Sequence, residues 1–266
     1  KFFLNGSLYQ GSKPVMWSPI EKTALAEAEI EYHDIDSTSI YVAFKIKNSP
    51  NKLLENTSVV IWTTTPWTIP GNRAIAFGDS IDYCIIKVQE SKNNLIKDNK
   101  YLVARSLLEE VCERCNINKF ELVNEIKGEE LSNTICHHPF FKIGFDYDVP
   151  LLKAAFVEDS EGTGFVHIAP CYGEDDYYLA LDNNIVIKDI VKDDGCYRDN
   201  TPVFAGTHVF KAHLSVIENL EEQNKLLGSR EYRHSYPHSW RSKKPIIYRT
   251  TPQWFISMKS NNLKDK

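Results

Sequence analysis

A chain of 266 residues with 42% hydrophobic side chains can build one large domain, or one domain with an appendage. Its net charge of −5 argues against a dedicated duplex binder, which carries a basic surface, and leaves contact with a single-stranded end open. No stretch approaches the roughly 18 apolar residues of a membrane helix, and the six cysteines follow no secretory leader, so reduced thiols in a cytoplasmic protein with no membrane partner are expected.

The opening KFFLNGSLYQG starts in mid-element and the closing NNLKDK simply stops, as in a piece of a longer chain. KPVMW (13–17) reads as a strand. ALAEAEIEY (24–32) begins with helix formers and ends in alternation, which leaves both readings open, and IYVAFKI (40–46) is a strand. SVVIW (58–62), RAIAF (73–77) and YCIIKV (83–88) are strands by their β-branched and aromatic content. ESKNNLIKDNK (90–100) is polar and reads as a loop. YLVARSLLEEVCERC (101–115) has helical spacing at Leu107, Leu108 and Val111, while FELVNEI (120–126) alternates as a strand. LLKAAFV (151–157) and GFVHIAP (164–170) are strands around the turn DSEGTG. EDDYYLALDNN (174–184) has the acidic start and asparagine end of a helix. THVFKAHLSVIENLEEQNKLLG (207–228) is the clearest helix, with Phe210, Leu214, Ile217 and Leu220 on one face and Gly228 as its stop. KKPIIYRT (243–250) repeats the extended character of KPVMW. Many short strands with a few helices predict an α+β fold with a mostly antiparallel, barrel-like core and peripheral helices.

Three stretches raise the question of chemistry. WTTTPWTIPGN (62–72) sets four threonines at the mouth of a buried strand, either as a polar strand edge or as hydroxyls that grip a ligand. GTGFVHIAPCYGEDDY (162–177) lacks the GxxxxGK[ST] pattern of a phosphate loop. Its Asp175 and Asp176 suit a helix cap, yet two acids beside a strand bearing His167 also suit a cationic ligand group such as an ammonium. Cys112 and Cys115 have the spacing of half a zinc site, with Cys136, His137 and His138 as its only partner set; buried thiols at a helix end are the simpler reading. No GxSxG or Ser-His-Asp arrangement occurs, so hydrolysis here would use bound water rather than a protein nucleophile.

TTTPWTIPGNRAIAF (63–77), GTGFVHIAPCYGEDDY (162–177) and YPHSWRSKKPIIYRTTPQWF (236–255) resemble the isoleucyl-tRNA synthetases, in their inserted editing domain, connective peptide 1. KPVMWSPIEKTALAEAEIEY (13–32) and SIYVAF (39–44) fit the segment leading into it, and the likeness runs nearly end to end except around 90–150. Valyl and leucyl relatives read TTRPE or TTRPD where this chain reads TTTPW. The HIGH and KMSKS motifs of amino-acid activation are absent from it. The resemblance therefore implies a class Ia synthetase editing domain that hydrolyses valyl-tRNA(Ile), and in the family valyl-adenylate as well. Its partners would be the 3′ end of tRNA(Ile) carrying valine and the remainder of the synthetase, in a monomer. Residues 1–45 would lead in from the synthetase core, 46–228 form the editing domain, and 229–266 return. A rival reading is a non-catalytic module for the aminoacyl-tRNA 3′ end.

The resemblance also assigns roles. Asp176 would pair with the substrate's α-ammonium; Thr64 and Thr65 would position the aminoacyl group and the attacking water; His167 would wall the amino-acid pocket against isoleucine. Thr63 and Thr68 would line the pocket, Asn72 would be a polar position needed for editing, and Trp62, Trp67 and Tyr236 would flank the adenosine or acyl group. No cofactor is expected for editing, ATP and Mg belonging to the aminoacylation core. Many relatives hold a structural zinc between two CxxC turns. This chain has Ser18-Pro-Ile-Glu21 and Ser239-Trp-Arg-Ser242 there, so that site is expected to be lost. A second departure is Cys171-Tyr172, where relatives often have a small residue followed by histidine.

Overall fold

The computed structural model describes residues 2–258. In chain order the elements are β1 (Leu8–Ser18), β2 (Thr23–Ala24), β3 (Ile30–Asn48), β4 (Thr57–Thr63), β5 (Ala74–Phe77), β6 (Asp82–Ser91), β7 (Lys100–Ala104), α1 (Leu108–Arg114), β8 (Ile117–Lys127), β9 (Ile135–His137), β10 (Asp148–Lys153), β11 (Phe165–Ile168), α2 (Glu174–Asp182), α3 (Val209–Glu222), β12 (Leu226–Ser239) and β13 (Ile247–Ile256). Short 3-10 turns join several of them, among them Pro66–Gly71 directly after β4.

Ten strands form one sheet in the order β11-β5-β10-β9-β3-β4-β7-β6-β8, with β12 also pairing β3. The β5–β10 and β4–β7 pairs are parallel and the others antiparallel. β4 lies between β3 and β7, and Val59, Val60 and Ile61 are all fully buried. Cover on both faces explains why SVVI runs apolar without alternating. β11 folds back against β4, and the Ala104 N–H at the end of β7 donates to the Thr163 carbonyl just ahead of β11 (2.8 Å). The sheet thus curls, but among the described residues its end strands β11 and β8 do not pair and no barrel closes. The expectation of a barrel-like core is met only as a curled, mostly antiparallel sheet. A smaller sheet, β13-β1-β2, pairs the two extended segments that looked alike in sequence, with Pro14 opposite Thr250 and Trp17 opposite Ile247. Residues 30–39 of β3 pair with β12 alone, Ile30 facing Ser239 and Ser39 facing Arg230, as a two-stranded ribbon. The boundaries expected at 45/46 and 228/229 fall inside β3 and β12.

Several elements differ from expectation. Tyr101–Ala104 is a strand: it sits between β4 and β6, and burial of Leu102, Val103 and Ala104 outweighs the helical spacing downstream, which holds only for α1. Residues 154–157 turn away rather than extending β10. The open reading at 24–32 resolves into a 3-10 turn (Glu27–Glu29) and the start of β3. α3 ends at Glu222, with Asn224 taking the left-handed conformation (φ +54°), and Gly228 lies within β12. Its buried face is Val209, Ala212, Val216 and Leu220, while Leu214 is 68% exposed. α3 packs on the Pro66–Gly71 turn, and the small side chains allow that close approach. Leu214→Ala is accordingly expected to stay within about 0.5 kcal/mol of the natural stability, whereas Val216→Ala should cost about 2 kcal/mol, as read from urea midpoints.

Candidate active site

The site begins where β4 stops. Pro66 and Pro70 have no N–H to offer a neighbouring strand, so the chain leaves the ladder and folds into the 3-10 turn Pro66–Gly71. A turn with two prolines satisfies few of its own polar groups, and distant side chains supply the missing donors. Tyr197 Oη donates to the Trp67 carbonyl (2.5 Å), His138 Nε2 to that of Ile69 (3.0 Å) and Tyr147 Oη to that of Asn72 (3.0 Å). The Phe140 N–H donates to His138 Nδ1 (3.1 Å), which fixes the tautomer, and burial pushes His138 down to about 3, so it stays neutral.

This braced turn presents its hydroxyls to one face of β11. Asn72 is fully buried, and its amide nitrogen donates to the Ala74 carbonyl (2.8 Å) and to His167 Nδ1 (2.7 Å). An amide nitrogen can only donate, so His167 carries its proton on Nε2, from which it donates to Thr68 Oγ1 (3.0 Å). Thr68 Oγ1 in turn donates to the Thr65 carbonyl (2.8 Å), and the Thr65 N–H donates to Thr63 Oγ1 (3.0 Å). The chain Asn72–His167–Thr68–Thr65 has one direction. Burial pushes His167 down to about 4, the Thr68 contact opposing, so the imidazole is neutral near pH 7.

Across from His167 stands Asp176, the third residue of α2. Its Oδ2 accepts from the Ala169 N–H (2.7 Å). Burial pushes its carboxyl up to about 6, the Ala169 bond pulling down and the Asp175 charge pushing up by less. Gly173 precedes the helix, and a Cβ there would lie 3.0 Å from the Asp176 carboxyl carbon. Gly173→Ala is therefore expected to displace the carboxylate and to weaken any ligand that needs it by about tenfold, with little change in melting temperature.

Thr63, Thr65, Trp67, Thr68, His167, Asp176 and Tyr236 all line one cleft of about 350 Å³. Thr64 and Trp62 open onto an adjoining cleft of about 360 Å³ with Gly162 and Phe165, and Thr63 and His167 form the shared wall. Asn72 reaches the cleft only through His167. Of β12 the sequence reading had Tyr236 alone; His234, Ser235 and Pro237 beside it, and Tyr248 of β13, also line the cleft. The alternation of EYRHSYPH, with Tyr232, His234 and Tyr236 two apart, was the available signal. Tyr172 is a brace. Its ring packs on Trp67 (5.1 Å between centroids) and lies over Gly71, and its Oη accepts from the Ile190 N–H (3.1 Å). Cys171 is buried, which pushes its thiol up to about 12, so it offers no thiolate. Among the described residues no three His, Cys, Asp or Glu side chains gather as a metal-binding set, and Cys112 and Cys136 lie on separate elements, α1 and β9.

The chain belongs to the class I tRNA synthetase family of isoleucyl, leucyl, methionyl and valyl enzymes, which matches residues 1–266. Within it the chain is 52% identical to the isoleucine–tRNA ligase of Pelagibacter ubique over 100% of its own length and 29% of that relative's. It is 48% identical to that of Gluconobacter oxydans over 97% of this chain and 28% of the relative. The chain thus spans less than a third of these relatives. In fold it is similar to the editing domain of P. knowlesi cytosolic leucyl-tRNA synthetase, with a TM-score of 0.55 at 10% identity over 74% of this chain and 97% of that one. It is equally similar to GlLeuRS-CP1, with a TM-score of 0.56 at 14% identity over 74% and 99%.

Proposed function

We propose that this chain is the proofreading domain of an isoleucyl-tRNA synthetase and hydrolyses the valyl ester of tRNA(Ile) at the 3′ terminal adenosine. The observation that carries this reading is the convergence of Asp176, His167, Thr63, Thr65 and Thr68 on one cleft of about 350 Å³, with Thr64 on the adjoining cleft across the shared wall of Thr63 and His167. Isoleucine and valine differ by one methylene, worth only about 1–3 kcal/mol to any pocket; this pair is the standard illustration of that limit, so the figure is general and does not come from this structure. A second, smaller site overcomes it. In this reading Asp176 accepts the α-ammonium in a charge-assisted hydrogen bond, and Thr64 and Thr65 orient the acyl group and the water. The imidazole of His167 bounds the space left for the side chain. Water adds to the ester carbonyl, the bond from carbonyl carbon to ribose oxygen breaks, and the proton lost by water ends on the ribose oxygen. An ester needs little more than such orientation. Trp67 and Tyr236 flank the terminal nucleoside. No cofactor enters the step.

The test is release of valine, isoleucine and threonine from their tRNA(Ile) esters by the natural chain and by Asp176→Ala. Valine released preferentially, with a loss of about 10²-fold or more in the variant, is the expected outcome. Valine release that survives loss of the carboxylate removes its assigned role. Tight binding of a non-hydrolysable valyl-adenosine with no turnover of any ester would make the domain a binding module instead.

A further inference from the structure

Two short turns face each other where the small sheet meets the β3–β12 ribbon. In the first, Ser18-Pro-Ile-Glu21, the Glu21 N–H donates to Ser18 Oγ (3.2 Å) and Lys22 follows with φ +52°. In the second, Ser239-Trp-Arg-Ser242, the Ser242 N–H donates to Ser239 Oγ (3.4 Å) and Lys243 follows with φ +57°. The two turns therefore share a shape: the side chain of the first position caps the N–H of the fourth, and a left-handed residue comes next. Structural zinc sites also take their ligands in pairs separated by two residues, the spacing of Ser18 and Glu21 and of Ser239 and Ser242. The side chains at the four inward positions are three hydroxyls and one carboxylate. Zinc is held by thiolate, imidazole and carboxylate, and a ligand must be deprotonated to bind. Serine hydroxyls keep their protons at neutral pH, so the donor set does not fit the structural zinc that the family implies.

A direct bond spans the gap instead. Ser239 Oγ donates to Glu21 Oε1 (2.9 Å) across 218 positions of sequence. Ser18 and Ser239 are buried, and Glu21 Oε2 and Ser242 Oγ are shut off from solvent. Burial pushes the Glu21 carboxyl up, but Ser242, Ser239 and the backbone N–H groups of the turns more than reverse that, leaving it below the ordinary carboxylate range. Outside the clasp, the Trp240 N–H donates to the Glu29 carbonyl (2.9 Å), locking the second turn onto the chain that enters the ribbon. We propose that this corner is a metal-independent clasp, in which the Glu21 carboxylate does the joining that an ion would do, on a backbone still shaped for four thiolates.

The inference is independent of the editing reaction, and its tests read metal content and melting. The natural chain, purified untagged from zinc-supplemented culture, should contain no stoichiometric zinc, and a strong chelator should leave its melting temperature unchanged. Glu21→Gln and Ser239→Ala should each lower the melting temperature by several degrees, equally with and without chelator. The quadruple variant Ser18→Cys, Glu21→Cys, Ser239→Cys, Ser242→Cys should take up one Co(II) per chain with the visible bands of a tetrahedral thiolate site, and zinc should raise its melting temperature. Stoichiometric zinc in the natural chain whose removal lowers melting overturns the proposal. Unchanged melting in both single variants overturns the role of Glu21. A quadruple variant that binds no Co(II), folded or not, overturns the claim about the backbone.

Discussion

Hydrolysis of valyl-tRNA(Ile) is expected to rise about tenfold per unit as the pH climbs toward 6 and to level off above it. The rising limb is the deprotonation of Asp176, whose carboxyl is held at about 6 chiefly by burial. Only the anion gives the substrate ammonium a charge-assisted hydrogen bond. Asp176→Asn should therefore lose roughly 10²–10³-fold in kcat/KM and erase the limb. The same shift fixes the sign of a stability effect. An acid whose folded pKa is raised binds its proton more tightly when folded, so its contribution to stability falls as the pH rises from 3.8 to about 6 and is level above. At neutral pH the folded chain thus carries a destabilising carboxylate, and asparagine, which can still accept from the Ala169 N–H, removes it. The variant should be more stable than the natural chain by up to about 2 kcal/mol, discounted for partial exposure, while nearly inactive. A variant that is both less stable and inactive would show that Asp176 serves the fold and not the ligand.

Replacing His167 by alanine is expected to change which ester is cleaved. The imidazole is held at both nitrogens, by Asn72 and Thr68, and cannot swing aside for a larger side chain. Its removal should bring isoleucyl-tRNA(Ile) within a few-fold of the valyl ester, erasing a discrimination of about 10–200-fold, the worth of one methylene in a fitted pocket. Valyl hydrolysis itself should fall less, because the carboxylate and Thr65 remain. The fold will also feel the change: an Asn72 amide proton loses its acceptor in the interior, at about 1–3 kcal/mol. If isoleucine release stays at background while valine release persists, His167 does not bound the acyl pocket. Asn72→Ala offers a second reading of the same geometry, since it frees His167 Nδ1 without enlarging the cleft directly.

Parts of this architecture were plain in the residues. SVVI read as a buried strand from its β-branched content, and the two prolines of TTTPWTIP end it. The link from those threonines to His167 and Asp176 came through the resemblance to a family, because nothing local joins positions a hundred residues apart. What was not legible depended on packing. Tyr101–Ala104 is extended because β4 and β6 flank it, a fact absent from its own spacing. Leu214 looked like core because it is apolar at the right interval, yet the face that α3 buries is that of Val209, Ala212, Val216 and Leu220. Asn72 read as a polar position needed for editing; its amide bonds to the Ala74 carbonyl and to His167 Nδ1 place it behind the histidine. Ser18-Pro-Ile-Glu21 and Ser239-Trp-Arg-Ser242 read as a lost site, and the bond that joins them, from Ser239 to Glu21, is invisible until the fold brings the two turns together.

The braces on the Pro66–Gly71 turn have a consequence for synthesis. Tyr197 lies 130 residues beyond the carbonyl it serves, and His138 and Tyr147 lie 69 and 75 residues beyond theirs. A ribosome releases the threonines long before any of these donors exists. The turn is therefore expected to gain its last brace only after Tyr197 has been made, and a chain truncated short of Tyr197 is expected to keep every threonine on a turn whose Trp67 carbonyl has lost its donor.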